Sequence, residues 1–129
     1  RFCRAPDYPD VARASIREMH RQVGDLPLDA AGVAQSGLLV RHLVMPEGLA
    51  GSQDWLDFLA EEIGPATYLN VMDQYRPCGH AHAYPELCGR PSPDEVAVVR
   101  RAARGLGLRL DDRHERQAMW FLRKLLREE

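Results

Sequence analysis

The order in which helix and strand patterns follow one another constrains this chain more than any other feature of its sequence. Two apolar segments, Leu38 to Met45 and Tyr68 to Gln74, have the length and composition of buried strands. An amphipathic helical pattern precedes the first segment, another separates the two, and a third follows the second. Such alternation is typical of parallel strands joined by right-handed helical crossovers. The sequence therefore predicts an α/β fold.

The bounds of the remaining elements follow from capping and turn residues. Ser92, Pro93 and Glu95 supply a serine cap, a proline at the first helical position and a glutamate placed for a capping box. Helices are predicted over residues 8–23 and 117–126, from a cap at Ser52 to residue 63, and from the cap at Ser92 to residue 105. A hairpin or irregular excursion is predicted over 26–35 and a short strand over 108–110. These strands are few for a closed barrel or a complete doubly wound sheet.

Composition excludes several classes of protein. At 129 residues the chain is one domain by length, and 45% hydrophobic with 28% charged residues excludes disorder. A formal net charge of -2 gives no electrostatic basis for binding nucleic acid or an anionic membrane surface. No apolar stretch approaches the ~20 residues of a membrane span, and the segment from Arg1 onward is not a signal peptide. Cytoplasm is the expected location.

Both apolar segments carry polar side chains, which cost several kcal/mol to bury without partners. Side chains alternate faces along a strand, so Asn70 and Gln74 share one face and Leu69 and Val71 the other. Helices must cover the apolar face. We therefore expect Asn70 and Gln74 to point toward a barrel interior, although they could equally bond to backbone groups.

The same alternation places Arg41 on the interior face of the first strand and His42 beneath the helices. Tyr75 and Arg76 follow the second strand at its carboxyl end. Polar groups that converge at strand ends indicate a small-molecule site. The alternatives are a structural ion pair for Arg41, a satisfied core histidine for His42 and ordinary loop roles for Tyr75 and Arg76.

The loop over residues 76–91 holds a second group of reactive side chains. Thiolate and imidazole ligands suit zinc, and the four candidates are Cys78, His80, His82 and Cys88. Their spacing is unusual for a zinc site, and the more ordinary interpretation is that the cysteines are free thiols. With Cys3 the cysteine count is odd, which does not favour a disulfide framework. The alternative function from this loop is a non-enzymatic binding module with a zinc-stabilised surface.

Three segments carry a resemblance to a known family: REMHRQVGDL at 17–26, GLLVRHLVMPEGLAG at 37–51 and YLNVMDQYRPC at 68–78. They resemble the C-terminal half of radical S-adenosylmethionine proteins homologous to pyruvate formate-lyase activating enzyme, in order over residues 5–110. The resemblance implies one domain over residues 1–129, part of a partial (β/α) TIM-like barrel of parallel strands with flanking helices, and a helical tail at 111–129. In the full-length family a [4Fe-4S] cluster reductively cleaves S-adenosylmethionine to a 5'-deoxyadenosyl radical. In activating enzymes that radical abstracts a hydrogen from a glycine of a partner protein.

The resemblance also implies roles for individual residues. Arg41 would line the cofactor and substrate side of the barrel. Gln74 and Tyr75 would lie against S-adenosylmethionine at the strand end, with Asn70 one layer deeper. Activating enzymes have a histidine near this strand end, where this chain has Gln74, Tyr75 and Arg76, so the role of that histidine is not carried over.

The family's cluster rests on three cysteines spaced CxxxCxxC, and this chain has no such motif. The glycine-rich segment that holds the methionyl end of the cofactor is missing as well. Together with Arg1 as first residue, this predicts the back half of a longer polypeptide or a truncated gene. Its expected partners are the missing N-terminal half of the barrel and a protein substrate. Alone, the chain is predicted to be inactive.

A small α/β enzyme using Arg41 and His42 directly ranks last among the alternative functions, because no nucleophile or acid–base pair accompanies these two residues.

Overall fold

The computed structural model describes residues 5–112, and their secondary structure follows the predicted order. The helices are α1 (Tyr8–Val23), α2 (Ser52–Phe58), which continues as a π-helical turn over Leu59–Ile63, and α3 (Pro93–Gly105). The strands are β1 (Leu39–Leu43), β2 (Tyr68–Met72) and β3 (Arg109–Leu110). Short 3-10 turns cover Pro46–Gly48, Gly79–Ala83 and Pro85–Leu87. The helix predicted over 117–126 lies outside the described residues.

The strands form a three-stranded parallel sheet in the order β1-β2-β3. Leu39 pairs with Tyr68 at the start of β1, and Leu43 pairs with Met72 at its end. Tyr68 also pairs with Arg109 on its other side, so β2 is central. The prediction of an α/β fold with parallel strands is confirmed. Both long strands end two residues earlier than predicted, at Leu43 and Met72.

The hydrophobic core lies on one face of this sheet, beneath α2 and α3. Leu69 and Ala103 are fully buried, at 0% exposure, and Leu56 and Leu59 are at 1%. The core cluster is built from the residue following β1, from β2, α2 with its π-helical turn and α3, and from the residue preceding β3: Val44, Leu56, Phe58, Leu59, Leu69, Val71, Val96, Val99, Ala103 and Leu108. Because apolar and polar side chains alternate along β2, the opposite face of this strand carries polar side chains that the core does not need.

Helix α1 has the predicted bounds, but its apolar stripe is largely exposed. Val11 is 55% exposed, Met19 45% and Val23 51%. Ile16 is the residue of the stripe that packs against the core as a partly buried hydrophobic. Polar contacts supplement this packing: Arg17 forms an ion pair with Glu62 at 2.6 Å and lies over a phenylalanine ring. The helix is therefore attached by its middle turns.

Glu95 connects the start of α3 to the loop after β1. Its carboxylate accepts a hydrogen bond from the Ser92 backbone at 2.7 Å, which completes the predicted capping box. The other oxygen accepts from the backbone N–H of Glu47, also at 2.7 Å. Glu47 has a φ of 56°, an unfavourable conformation for a residue other than glycine. The bonds from Ser92, and then that from Glu47, lower the pKa of Glu95 below its ordinary value.

Candidate functional site

The face of the sheet that turns away from α2 and α3 carries a row of polar side chains, here called the polar face: Arg41, Tyr68, Asn70, Arg109 and Asp111. Asn70 on the central strand pairs in register with Arg41 on β1. On its other side, the Asn70 amide donates to Asp111 Oδ2 at 3.0 Å. Arg41, Asn70 and Asp111 therefore lie at one level of the sheet, on β1, on β2 and directly after β3.

Asp111 organises the half of the polar face next to β3. In addition to the bond from Asn70, its other carboxylate oxygen accepts a hydrogen bond from the Tyr68 hydroxyl at 3.3 Å. Its own backbone N–H donates to the Leu69 carbonyl at 2.8 Å and extends the ladder beyond β3. A carboxylate held by two side chains of β2 is oriented before any ligand arrives.

Arg109 closes the amino-terminal end of the polar face. Its guanidinium lies over the ring of Tyr68, 5.2 Å from the centroid, a favourable cation–π arrangement. The same side chain donates to the carbonyls of Leu26 at 3.0 Å and Ala66 at 3.3 Å. Tyr68 is 4% exposed. These contacts give Arg109 a structural role that fixes Tyr68.

Arg41 is exposed on the same face. Within residues 5–112 no carboxylate forms an ion pair with it, so the alternative of a structural pair with a neighbouring strand is not realised there. A guanidinium beside Asn70 is available to a carboxylate or phosphate of a ligand.

His42 lies on the opposite face, where the alternation places it. Its Nε2 is 2.8 Å from the hydroxyl oxygen of Ser52, the first residue of α2. Burial lowers the pKa of His42 below its ordinary value of 6.5. The interpretation of a satisfied core histidine fits this geometry, and His42 does not face the polar row.

Gln74 and Tyr75 follow the end of β2. Gln74 is exposed, and its amide lies 3.5 Å from the Met72 sulfur. Tyr75 is half-buried and donates its hydroxyl hydrogen to the Leu87 carbonyl at 2.9 Å. The structure therefore places Gln74 at the rim of the polar face. Tyr75 instead anchors the loop that precedes α3.

His80 and His82 lie in the 3-10 turn Gly79–Ala83, Cys78 directly precedes that turn, and Cys88 directly follows the turn Pro85–Leu87. Cys78 and Cys88 are exposed free thiols, and the Cys88 sulfur lies 3.4 Å from the Tyr84 carbonyl. In the part of the chain that the structure describes, no group of three His, Cys, Asp or Glu side chains is placed to hold a metal ion. The structure does not bring Cys78, His80, His82 and Cys88 together as a ligand set.

Sequence reasoning missed Asp111, Arg109 and Tyr68 as members of the polar face. Asp111 directly follows the short strand predicted over 108–110, and a carboxylate at the carboxyl end of a parallel strand is a recognisable signal. Asp111 belongs to the polar face because it lies beside Asn70 in the sheet. That contact joins residues 41 positions apart in the chain.

No protein-family model matches this chain, and neither a curated protein nor a solved structure matches it. These comparisons assign no family. Among residues 5–112, no helix combines the length and the apolar character needed to cross a bilayer.

Proposed function

We propose that this chain is the C-terminal part of a radical S-adenosylmethionine protein that resembles glycyl-radical activating enzymes. In this proposal its sheet is one arc of a partial (β/α) barrel. The observation that carries the proposal is the row of Arg41, Asn70 and Asp111 on the face opposite the helices. In a barrel of parallel strands that face is the interior, and polar groups near the carboxyl ends of its strands build the site.

The side chains on the polar face suit the polar groups of S-adenosylmethionine. Arg41 has the geometry to pair with a carboxylate, and an exposed guanidinium is available for it. The Asp111 carboxylate and the Asn70 amide, already joined at 3.0 Å, can bond to ribose hydroxyls. Gln74 adds an exposed amide at the strand end. Tyr75 contributes less directly, by holding the loop beside the site.

The described residues do not fit an iron–sulfur cluster held by three cysteines. Cys78 and Cys88 are the cysteines among them, and their separation of ten positions is unlike CxxxCxxC. The cluster would therefore be supplied by another part of the protein. The proposed role of this chain is limited to binding and orienting the cofactor and substrate.

The test is binding of S-adenosylhomocysteine, an unreactive analogue, followed by amide chemical shifts of the 15N-labelled chain. We expect saturable shifts concentrated at residues 41, 70 and 111. Arg41→Gln should weaken binding roughly tenfold, as expected when a charge-assisted hydrogen bond is lost. The matched control is Arg21→Gln, which removes an exposed arginine paired with Glu18 on α1 and should leave affinity unchanged.

Shifts confined to the helix-covered face, or an absence of saturable binding, would contradict the proposal. The same chain reconstituted anaerobically with iron and sulfide should form no 5'-deoxyadenosine from S-adenosylmethionine. Formation of that product by this chain alone would show that the missing cluster-binding half is not needed.

A further inference from the structure

A cleft of about 610 Å³ lies on the helix-covered side at the carboxyl end of β2. Its charged lining consists of Asp73 and the four arginines Arg90, Arg100, Arg101 and Arg104. We call it the arginine cleft. Asp73 lies two positions after Val71 and four after Leu69, so strand alternation places its side chain on their side of the sheet. The cleft and the polar face are therefore on opposite sides of the sheet.

The arginines come from two separate segments. Arg100, Arg101 and Arg104 project from successive turns of α3, and Arg90 comes from the loop before that helix. Residues spaced by four positions lie on one helix face, so Arg100 and Arg104 form one wall. Pro91 and Pro93 restrict the backbone at the rim near Arg90.

Two of these side chains are oriented by the protein itself. Arg100 donates to the Val71 carbonyl at 3.4 Å, which ties it to the end of β2. Arg104 forms an ion pair with Asp112 at 3.2 Å while about half of its side chain stays exposed. Arg90 and Arg101 are exposed, and no ion pair to either exists within residues 5–112.

The charge in this cleft contrasts with that of the whole chain, whose formal net charge is -2. Among the described residues, four guanidinium groups and the carboxylate of Asp73 line one concave surface, and the Asp112 carboxylate is paired with Arg104. Like charges confined in a cleft repel one another and raise the local concentration of anions. Guanidinium forks match the oxygens of a phosphate group, and a planar arginine can bind two of them at once.

We propose that the arginine cleft binds a phosphate-bearing small molecule. Arg90 and Arg101 provide exposed contacts, and Arg100 and Arg104 provide a wall held by the Val71 carbonyl and by Asp112. The volume lies within the range of small-molecule pockets, about 300–1,000 Å³. This inference goes beyond the proposed function and does not depend on it, because the two sites use different residues on opposite sides of the sheet.

The experiment is isothermal titration of the chain with inorganic pyrophosphate and with inorganic phosphate at low ionic strength. We expect saturable binding at one site, weakened at least about tenfold in the double variant R90Q/R101Q, as two charge-assisted contacts are lost. Asp73→Asn removes the carboxylate that opposes the ligand and should tighten binding. The matched control R21Q should bind like the wild type. All substituted residues are exposed, and thermal melting of each variant checks that the fold is retained.

Several outcomes would overturn the proposal. One is the absence of saturable binding, and another is an equal loss in R21Q and R90Q/R101Q. Citrate that binds as tightly as pyrophosphate would show a general anion site rather than a phosphate site. A short single-stranded RNA that binds more tightly than pyrophosphate, and loses affinity in R90Q/R101Q, would assign the cleft to nucleic acid instead.

Discussion

Arg41 and His42 are adjacent in the chain and have opposite environments. Arg41 is exposed on the polar face, and His42 is half-buried against Ser52 on the helix-covered face. The two-residue period of a strand makes this division predictable without a structure. Asp111 was not predictable in the same way, because its contact with Asn70 requires the pairing of β2 with β3. Strand pairing is a long-range property that no local pattern contains.

From the lowered pKa of His42 we predict how the stability of the fold depends on pH. The unfolded chain takes up a proton at this residue near pH 6.5, its ordinary value, whereas the folded chain does so only at lower pH. This contribution to stability is therefore constant above about pH 6.5 and is lost as the pH falls from there through the lower folded-state pKa. His42→Gln keeps a polar group near Ser52 but cannot take up this proton. We expect a smaller loss of unfolding free energy between pH 7.5 and 5.5 in H42Q than in the wild type.

Urea unfolding at the two pH values measures this difference. The matched control is His80→Gln, which removes an exposed imidazole of the loop. If H42Q and the wild type lose equal stability on acidification, protonation of His42 is not the cause of the loss.

The bounds and type of some helices were predictable from the sequence, and those of others were not. The start of α3 was predicted to the residue, because Ser92, Pro93 and Glu95 are strong local signals and all three act as expected. The π-helical turn over Leu59–Ile63 was not predicted. This turn is the last of its helix and is followed by Gly64, so no later helical residue reveals the shift of the apolar pattern that a widened turn causes.

The entry to β1 depends on Gly37. Its φ is +94°, and a Cβ built there would lie 2.3 Å from the Asp25 carbonyl oxygen and 2.4 Å from the Leu26 Cα. Both are backbone atoms, which cannot move away without breaking the bridge between Asp25 and Leu38. Gly37→Ala should therefore cost roughly 2 kcal/mol or more, the sum of backbone strain and this clash.

Chemical denaturation of G37A against Gly32→Ala isolates the clash. Gly32 has a similar φ of +77°, but no heavy atom beyond its own and the two adjacent residues lies within 4 Å of the position that a Cβ would take there. G32A therefore has the backbone strain without the clash. Equal losses of stability in the two variants would mean that the backbone at Asp25 relaxes at little cost.

At the scale of the whole molecule, the core lies on one face of a three-stranded sheet and the polar row on the other. The sequence predicted this division because β2 alternates apolar and polar residues. It also predicted the parallel order, from the alternation of helices and strands. Whether the sheet is one arc of a larger ring is set by strands other than these three, so the barrel remains part of the proposal above.

A core on a single face makes stability depend unequally on the two sides of the sheet. Leu69 is fully buried beneath the helices, whereas Leu39 is 37% exposed on the opposite face. Leu69→Ala should cost about 2–5 kcal/mol through lost burial and a cavity. Leu39→Ala, the same chemical change, should cost less than about 1 kcal/mol, as surface substitutions do. Unfolding free energies from urea titration compare the two, and similar losses would contradict a core confined to the helix side.

Glu95 couples two loops that are far apart in the sequence, since one carboxylate serves the backbone of Ser92 and that of Glu47. Shortening or lengthening either loop by one residue would move the backbone N–H of Ser92 or of Glu47 away from Glu95. One of the two hydrogen bonds would then be lost. The lengths of the two loops therefore cannot change independently in evolution without loss of a hydrogen bond. Among related sequences, we expect the length of the turn after β1 to vary together with the presence of an acidic residue at the third position of α3.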